Sequence, residues 1–336
     1  MKLISYLKEG HEQLAAYIDG DVFDMDLLHP DLPNTMSMFL NYWEDALPMA
    51  LGGEIMVREE KISRKKAVPY DSIQLIAPVP FPASFRNGNN LQADLRQGPS
   101  SETNATTVVN HFPVFHFSNH HSIQGPGTVN CMPDQLEDLD VEVVVAVVIC
   151  KQGRNIAAAE ADDFIGGLML INNFSARRLQ QKAVQQHPTA ATGNDFAFAT
   201  GPWLVTLDEL QPFETTTQDN HTGKSWNLAI QTKLNGTLLI DATSEMLHCT
   251  FAEMIERASY GVNLFPGDVI GIGPVGKGSL PECNRINASG NTGAAAKWLK
   301  EGDVVETASD CLGTLSNTIA REESDFSLLD NIEMHG

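Results

Sequence analysis

Apolar residues change their spacing several times along this chain, and each change predicts an element. Near the N-terminus KLISYL and LAAYID read as short strands, Asp19-Gly20-Asp21 as a turn, and the acidic and apolar stretch that follows as helix-prone. VPYDSIQLIAPVPFP, residues 68–82, then carries four prolines. They deny helix and interrupt sheet pairing, so this stretch predicts a linker and a domain boundary near residue 78. Asn87 to Asn110 is polar and poor in large apolar residues, which predicts a loop or lid. The next strong signal, Val141 to Ile149, is β-branched and almost wholly apolar, which predicts a strand buried on both faces. Thr250 with Glu253 predicts a capping box, and Phe251, Met254, Ile255 and Ala258 follow at helical spacing, so one face of that helix packs inward. Pro266-Gly267-Asp268 and Glu301-Gly302-Asp303 are turns leading into the β-rich runs VIGIG and VVET. The pattern is a small first unit followed by a mostly β second domain with a few packed helices.

Composition narrows the class. The chain has 336 residues, 42% hydrophobic and 19% charged, which is ordinary globular usage. Lys and Arg total 22 against 43 Asp and Glu, a net charge of −21. A body so negative repels phosphate backbones and anionic headgroups, so neither nucleic acid nor a membrane surface is an expected partner. No run reaches the roughly 18 apolar residues of a membrane span, and MKLISYLKEGHEQL lacks the core of a signal peptide, so a cytoplasmic protein is expected. The five cysteines are scattered, without a C-x-x-C pair, and predict neither a disulfide framework nor a zinc site.

Several strings, in order along nearly the whole chain, resemble the fumarylacetoacetate hydrolase superfamily: SFR (84–86), FPVFHFSN (112–119), LDVEVVVAVVI (139–149), GRNI (153–156), NNFSARRLQ (172–180), TFAEMIERASYGV (250–262), FPGDVIGIG (265–273) and WLKEGDVVE (298–306). The resemblance implies an α+β, mostly β fold, a mixed β-roll with a small N-terminal domain, usually a homodimer. Its domains would be a small α/β unit at 1–78, the catalytic-type domain at 79–320 and an acidic tail at 321–336. It also implies chemistry on β-diketo and related oxo acids, in which magnesium or calcium polarises enolisable oxygens.

The resemblance assigns that cation four carboxylates, and here Asn87, Val144 and Asn173 stand at three of those positions, with Glu142 at the fourth. Three charges are lost, so no bound metal and no other cofactor are expected. Asp94 stands where the family has its catalytic histidine and Asn194 where it has a lysine. Arg177 and Gln180 match substrate-binding residues, and Glu282 matches the carboxylate that orients the histidine. His116 replaces a substrate-facing tyrosine. The expected pocket therefore binds an oxo acid through Arg177, Gln180, Asn173 and Asn194, with His116, Asp94 or Glu282 moving protons. Against this stand plainer readings: His116 as a packed histidine, Asp94 as a solvated loop residue, Asp140 as part of a solvated acidic edge, and His120, His121 and His187 as surface residues.

Three functions follow from the resemblance. The first is a metal-independent enzyme acting through an enolate, by C–C cleavage, decarboxylation, tautomerisation or condensation. The second is a conventional metal-dependent hydrolase with shifted ligands. The third is an inactive metabolite-binding or scaffold protein.

Overall fold

The strand Leu139–Ile149 is the axis of the molecule. The computed structural model describes residues 1–89, 113–186, 193–276, 279–280 and 297–330. Every residue of this strand except Glu142 is buried. It pairs antiparallel with Ile165–Ala176 on one side, itself buried along its length, and with Val269–Gly273 on the other. A β-branched run suits this place, because both ladders are filled and both faces are covered. Val143, Val145, Val147 and Ile149 pack into one core, shared with the helix Phe251–Ser259. Val144, Ala146 and Val148 pack into another, with Phe39, Ala46 and Ala50 of the N-terminal helices.

The large sheet grows outward from this centre. Val269–Gly273 pairs in parallel with Phe85–Asn89, which pairs antiparallel with Val114–Ser118 at the end of the sheet. In the other direction come Ala197–Val205, then Lys2–Lys8, His11–Ile18 and Asp21–Asp24. The first unit is therefore hydrogen-bonded into the main sheet, with Lys2 and Leu3 opposite Val205 and Leu204. The proline-rich stretch is stitched to the same unit and is not a free linker. Val68–Pro69 pairs with Asp21 and Val22, Gln74–Leu75 pairs with Tyr6 and Leu7, and Ser5 Oγ donates to the Pro78 carbonyl at 3.0 Å. Its prolines limit the added strands to two residues each.

A second, five-stranded sheet runs Thr237–Thr243, Ala229–Leu234, Val304–Ser309, Gly313–Arg321 and Gly127–Cys131. A buried polar chain ties it to the back of the first. Asn172 Nδ2 donates to Asn317 Oδ1 at 3.0 Å, Thr307 Oγ1 donates to Asn172 Oδ1 at 2.6 Å, and the Thr232 and Thr307 hydroxyls meet at 2.9 Å. The helix Phe251–Ser259 opens with its capping box formed, the Glu253 amide at 3.1 Å from Thr250 Oγ1 and the Thr250 amide at 2.9 Å from Glu253 Oε2. The architecture is a mixed β-roll of the α+β class with strands dominant. The segment after residue 320 begins as part of the body: Leu328 and Leu329 donate their amides to Asp134 at 2.5 and 3.1 Å, and Leu329 is buried beside Leu179. Among the described residues no helix is long and apolar enough to cross a membrane.

Candidate active site

Strand register assembles the site. Asp140 lies opposite Ser175, Glu142 opposite Asn173 and Val144 opposite Ile171. Because side chains alternate along a strand, Asp140, Glu142, Val144, Asn173 and Ser175 share one face. Asn87 joins them: it is in register with Gly271 and with His116. Asn87 Oδ1 and Val144 Cγ1 lie 3.3 and 3.0 Å from the point where a Gly271 Cβ would stand. The four positions of the expected cation site thus come together, with His116 beside them.

Arg177 dominates this face. It stands at the junction of the strand Ile165–Ala176 and the helix Arg177–Gln186. Its Nε donates to Asp140 Oδ2 at 2.8 Å and its Nη2 donates to the same oxygen. Nη2 also donates to Glu142 Oε1 at 2.6 Å, and Nη1 donates to Gln180 Oε1 at 2.8 Å. Asn173 Nδ2 donates to the other oxygen of Glu142 at 3.0 Å, and Ser175 Oγ donates to Asn194 Oδ1 at 3.1 Å. Asp140 is fully buried, and its second oxygen accepts the Leu280 amide at 2.9 Å. Burial pushes the Asp140 carboxyl up to about 6; the charge of Arg177 works against that and the charge of Glu142 adds to it. Burial alone would lower the Arg177 pKa, but the two carboxylates outweigh it and raise it.

Two expectations change here. Asp140 belongs to no solvated edge: it shares the face of Glu142 and anchors the buried end of Arg177. Nor does Arg177 present an open fork to a ligand, since four of its five N–H bonds are engaged within the protein. His116 sits on the exposed outer strand. Phe115 and Phe117 alternate to the opposite face, where Arg257 and Arg86 lie 5.4 and 4.9 Å over their rings. The imidazole pKa is lowered by desolvation, with the Glu142 carboxylate acting in the opposite sense. His120 and His121 lie against each other, ring centroids 4.2 Å apart. Asp94, Glu282, His187 and most of the expected lid lie outside the described residues.

A hard divalent cation takes several anionic oxygens. Glu142 is the one carboxylate at the four positions, and Arg177 and Asn173 donate to its two oxygens. Asn173 turns its NH2 toward Glu142, and Val144 has no donor atom. These residues do not fit such a cation. Among the described residues no group of three His, Cys, Asp or Glu side chains is placed to hold a metal.

Residues 83–320 match the family model described as fumarylacetoacetate (FAA) hydrolase C-terminal. The chain belongs to this family. Over 324 residues, 95% of this chain and 91% of the relative, it is 28% identical to "Oxaloacetate tautomerase Fahd2a, mitochondrial" of Rattus norvegicus. Over 303 residues, 89% of this chain and 83% of the relative, it is 28% identical to "Oxaloacetate tautomerase fahd2, mitochondrial" of Xenopus laevis. The solved fumarylacetoacetate hydrolase of Exiguobacterium antarcticum has the same fold: TM-score 0.69 at 20% identity, covering 96% of this chain and 100% of that one. Asp140 holds Arg177 among the four positions that the sequence resemblance marked out. The sequence signal for Asp140 was its parity with Glu142. Asn172, Thr232, Thr307 and Asn317, which hold the strand of Asn173 from behind, gave no signal, since isolated polar residues in strands have no period of their own.

Proposed function

We propose that this protein is an enzyme that moves a proton between carbon and oxygen of a small enolisable oxo acid without a bound hard cation. The observation that carries the reading is Arg177 wedged between Asp140 and Glu142, which puts a fixed guanidinium where the family resemblance calls for a metal. A preorganised positive group stabilises charge developing on an adjacent oxygen and needs no reorganisation during the reaction. Gln180 gives its oxygen to Arg177, so its NH2 is the end suited to a ligand oxygen. Desolvation lowers the His116 pKa, which favours the neutral imidazole that can take a proton from carbon and return it. The names of the relatives supply the first substrate to try, oxaloacetate.

The test follows ketonisation of enol-oxaloacetate by its ultraviolet absorbance, with the protein-free rate subtracted. Acceleration by the purified chain, lost in His116→Phe, supports the reading. No acceleration of oxaloacetate or of a panel of β-keto and β-diketo acids would leave the binding-protein alternative in its place.

A further inference from the structure

One atom of this face has its hydrogen-bonding role fixed and no partner among the described residues. Asn173 is fully buried, and its amide meets Glu142 Oε2 at 3.0 Å. The other oxygen of Glu142 accepts from Arg177, so both carboxylate oxygens act as acceptors. The end of Asn173 turned toward Glu142 is therefore the NH2, and the end turned away is the carbonyl oxygen. Among the described residues Asn173 Oδ1 has no hydrogen-bond partner. Its chain neighbour Asn172, on the opposite face, has both ends satisfied by Thr307 and Asn317. Buried acceptors without a partner are rare in folded proteins.

We infer that Asn173 Oδ1 receives a hydroxyl of the ligand, so that the site recognises a 2-hydroxy or enol acid by its O–H. A ketone or an enolate oxygen has no hydrogen to give it. The face is open at its rim, where Glu142 and Arg177 keep 18% and 19% of their side chains exposed. The inference rests on the reading of this face as an oxo-acid site and adds which tautomer it holds.

Calorimetry with D-malate, L-malate and succinate tests it, because these four-carbon diacids differ by one hydroxyl. The expected result is that one malate enantiomer binds at least about tenfold tighter than succinate. Asn173→Leu should bring that ratio within about twofold by weakening malate and leaving succinate unchanged. Asn173→Val gives a second aliphatic replacement should the leucine variant not fold, and the malate preference should again disappear. A wild-type ratio below about threefold, a ratio kept in the folded variants, or no binding of any of the three acids would overturn the inference. Oxaloacetate ketonisation is read on the same samples. Activity without a malate preference overturns this inference alone, and a malate preference without activity overturns the catalytic reading alone.

Discussion

Arg177 separates two carboxylates that would otherwise repel each other, and its removal leaves one of them fully buried without a counter-charge. Arg177→Leu should therefore cost about 3–5 kcal/mol in urea unfolding, the usual range for breaking a buried pair from one side. Asp140 should leave a mark on the pH dependence of stability. Its folded pKa, about 6, lies above the ordinary 3.8, so the folded chain holds that proton more readily than the unfolded chain does. Its contribution is complete below pH 4 and is lost as pH rises through 6. Asp140→Asn should flatten that part of the curve, and an unchanged slope would contradict the assignment. His116 acts in the opposite sense: its pKa lies below the ordinary 6.5, so catalysis should fall only as pH drops below that value. His116→Phe should lower turnover about 100-fold or more and abolish this acidic limb, as pH–rate profiles of both proteins would reveal. The sequence made Glu142, Asn173 and Arg177 legible as members of one candidate site, whose side chains the structure brings into contact. It could not show that the guanidinium faces inward, because that depends on Asp140, which reads on paper like the other acids of its segment.

At the scale of elements, the β-branched run and the capping box were plain in the sequence because each follows a local rule. The pairing of distant segments was not. Phe85–Asn89 lies parallel to Val269–Gly273 across most of the chain, and no local pattern announces a partner that far away. Small residues mark such meetings after the fact. A Cβ on Gly88 would stand 1.9 Å from Met254 Cε, so the bare glycine lets the helix Phe251–Ser259 press on the back of the strand that carries Asn87. Met254 is completely buried, and Met254→Ala should cost about 2–5 kcal/mol in denaturant unfolding. Thr250→Ala removes the cap and should cost about 1 kcal/mol by the same measurement. The prolines of residues 68–82 misled in an instructive way. They break regular strands, but they leave the short pairings that fasten this stretch to the first sheet.

For the whole molecule, the large sheet joins the first strand to Ala197–Val205 and the strands beyond it, so the N-terminal unit and the candidate site share one framework. That sheet ends at Val114–Ser118, where Val114 and Phe117 are 38% and 63% exposed. We propose that the chain forms a homodimer in solution. Its net charge of −21 opposes this only weakly at physiological salt, where the Debye length is about 8 Å. Light scattering at high protein concentration should give twice the mass of one chain, and a monomer there would contradict it. The residues at the four expected cation positions are the sharpest point of difference from the family resemblance. The most direct measurement is the rate of enol-oxaloacetate ketonisation by protein dialysed against EDTA, compared with the same protein after one equivalent of magnesium is restored. The expected result is equal rates above the protein-free background in both samples. A rate abolished by EDTA and recovered with stoichiometric magnesium would show that Arg177 does not stand in for the metal.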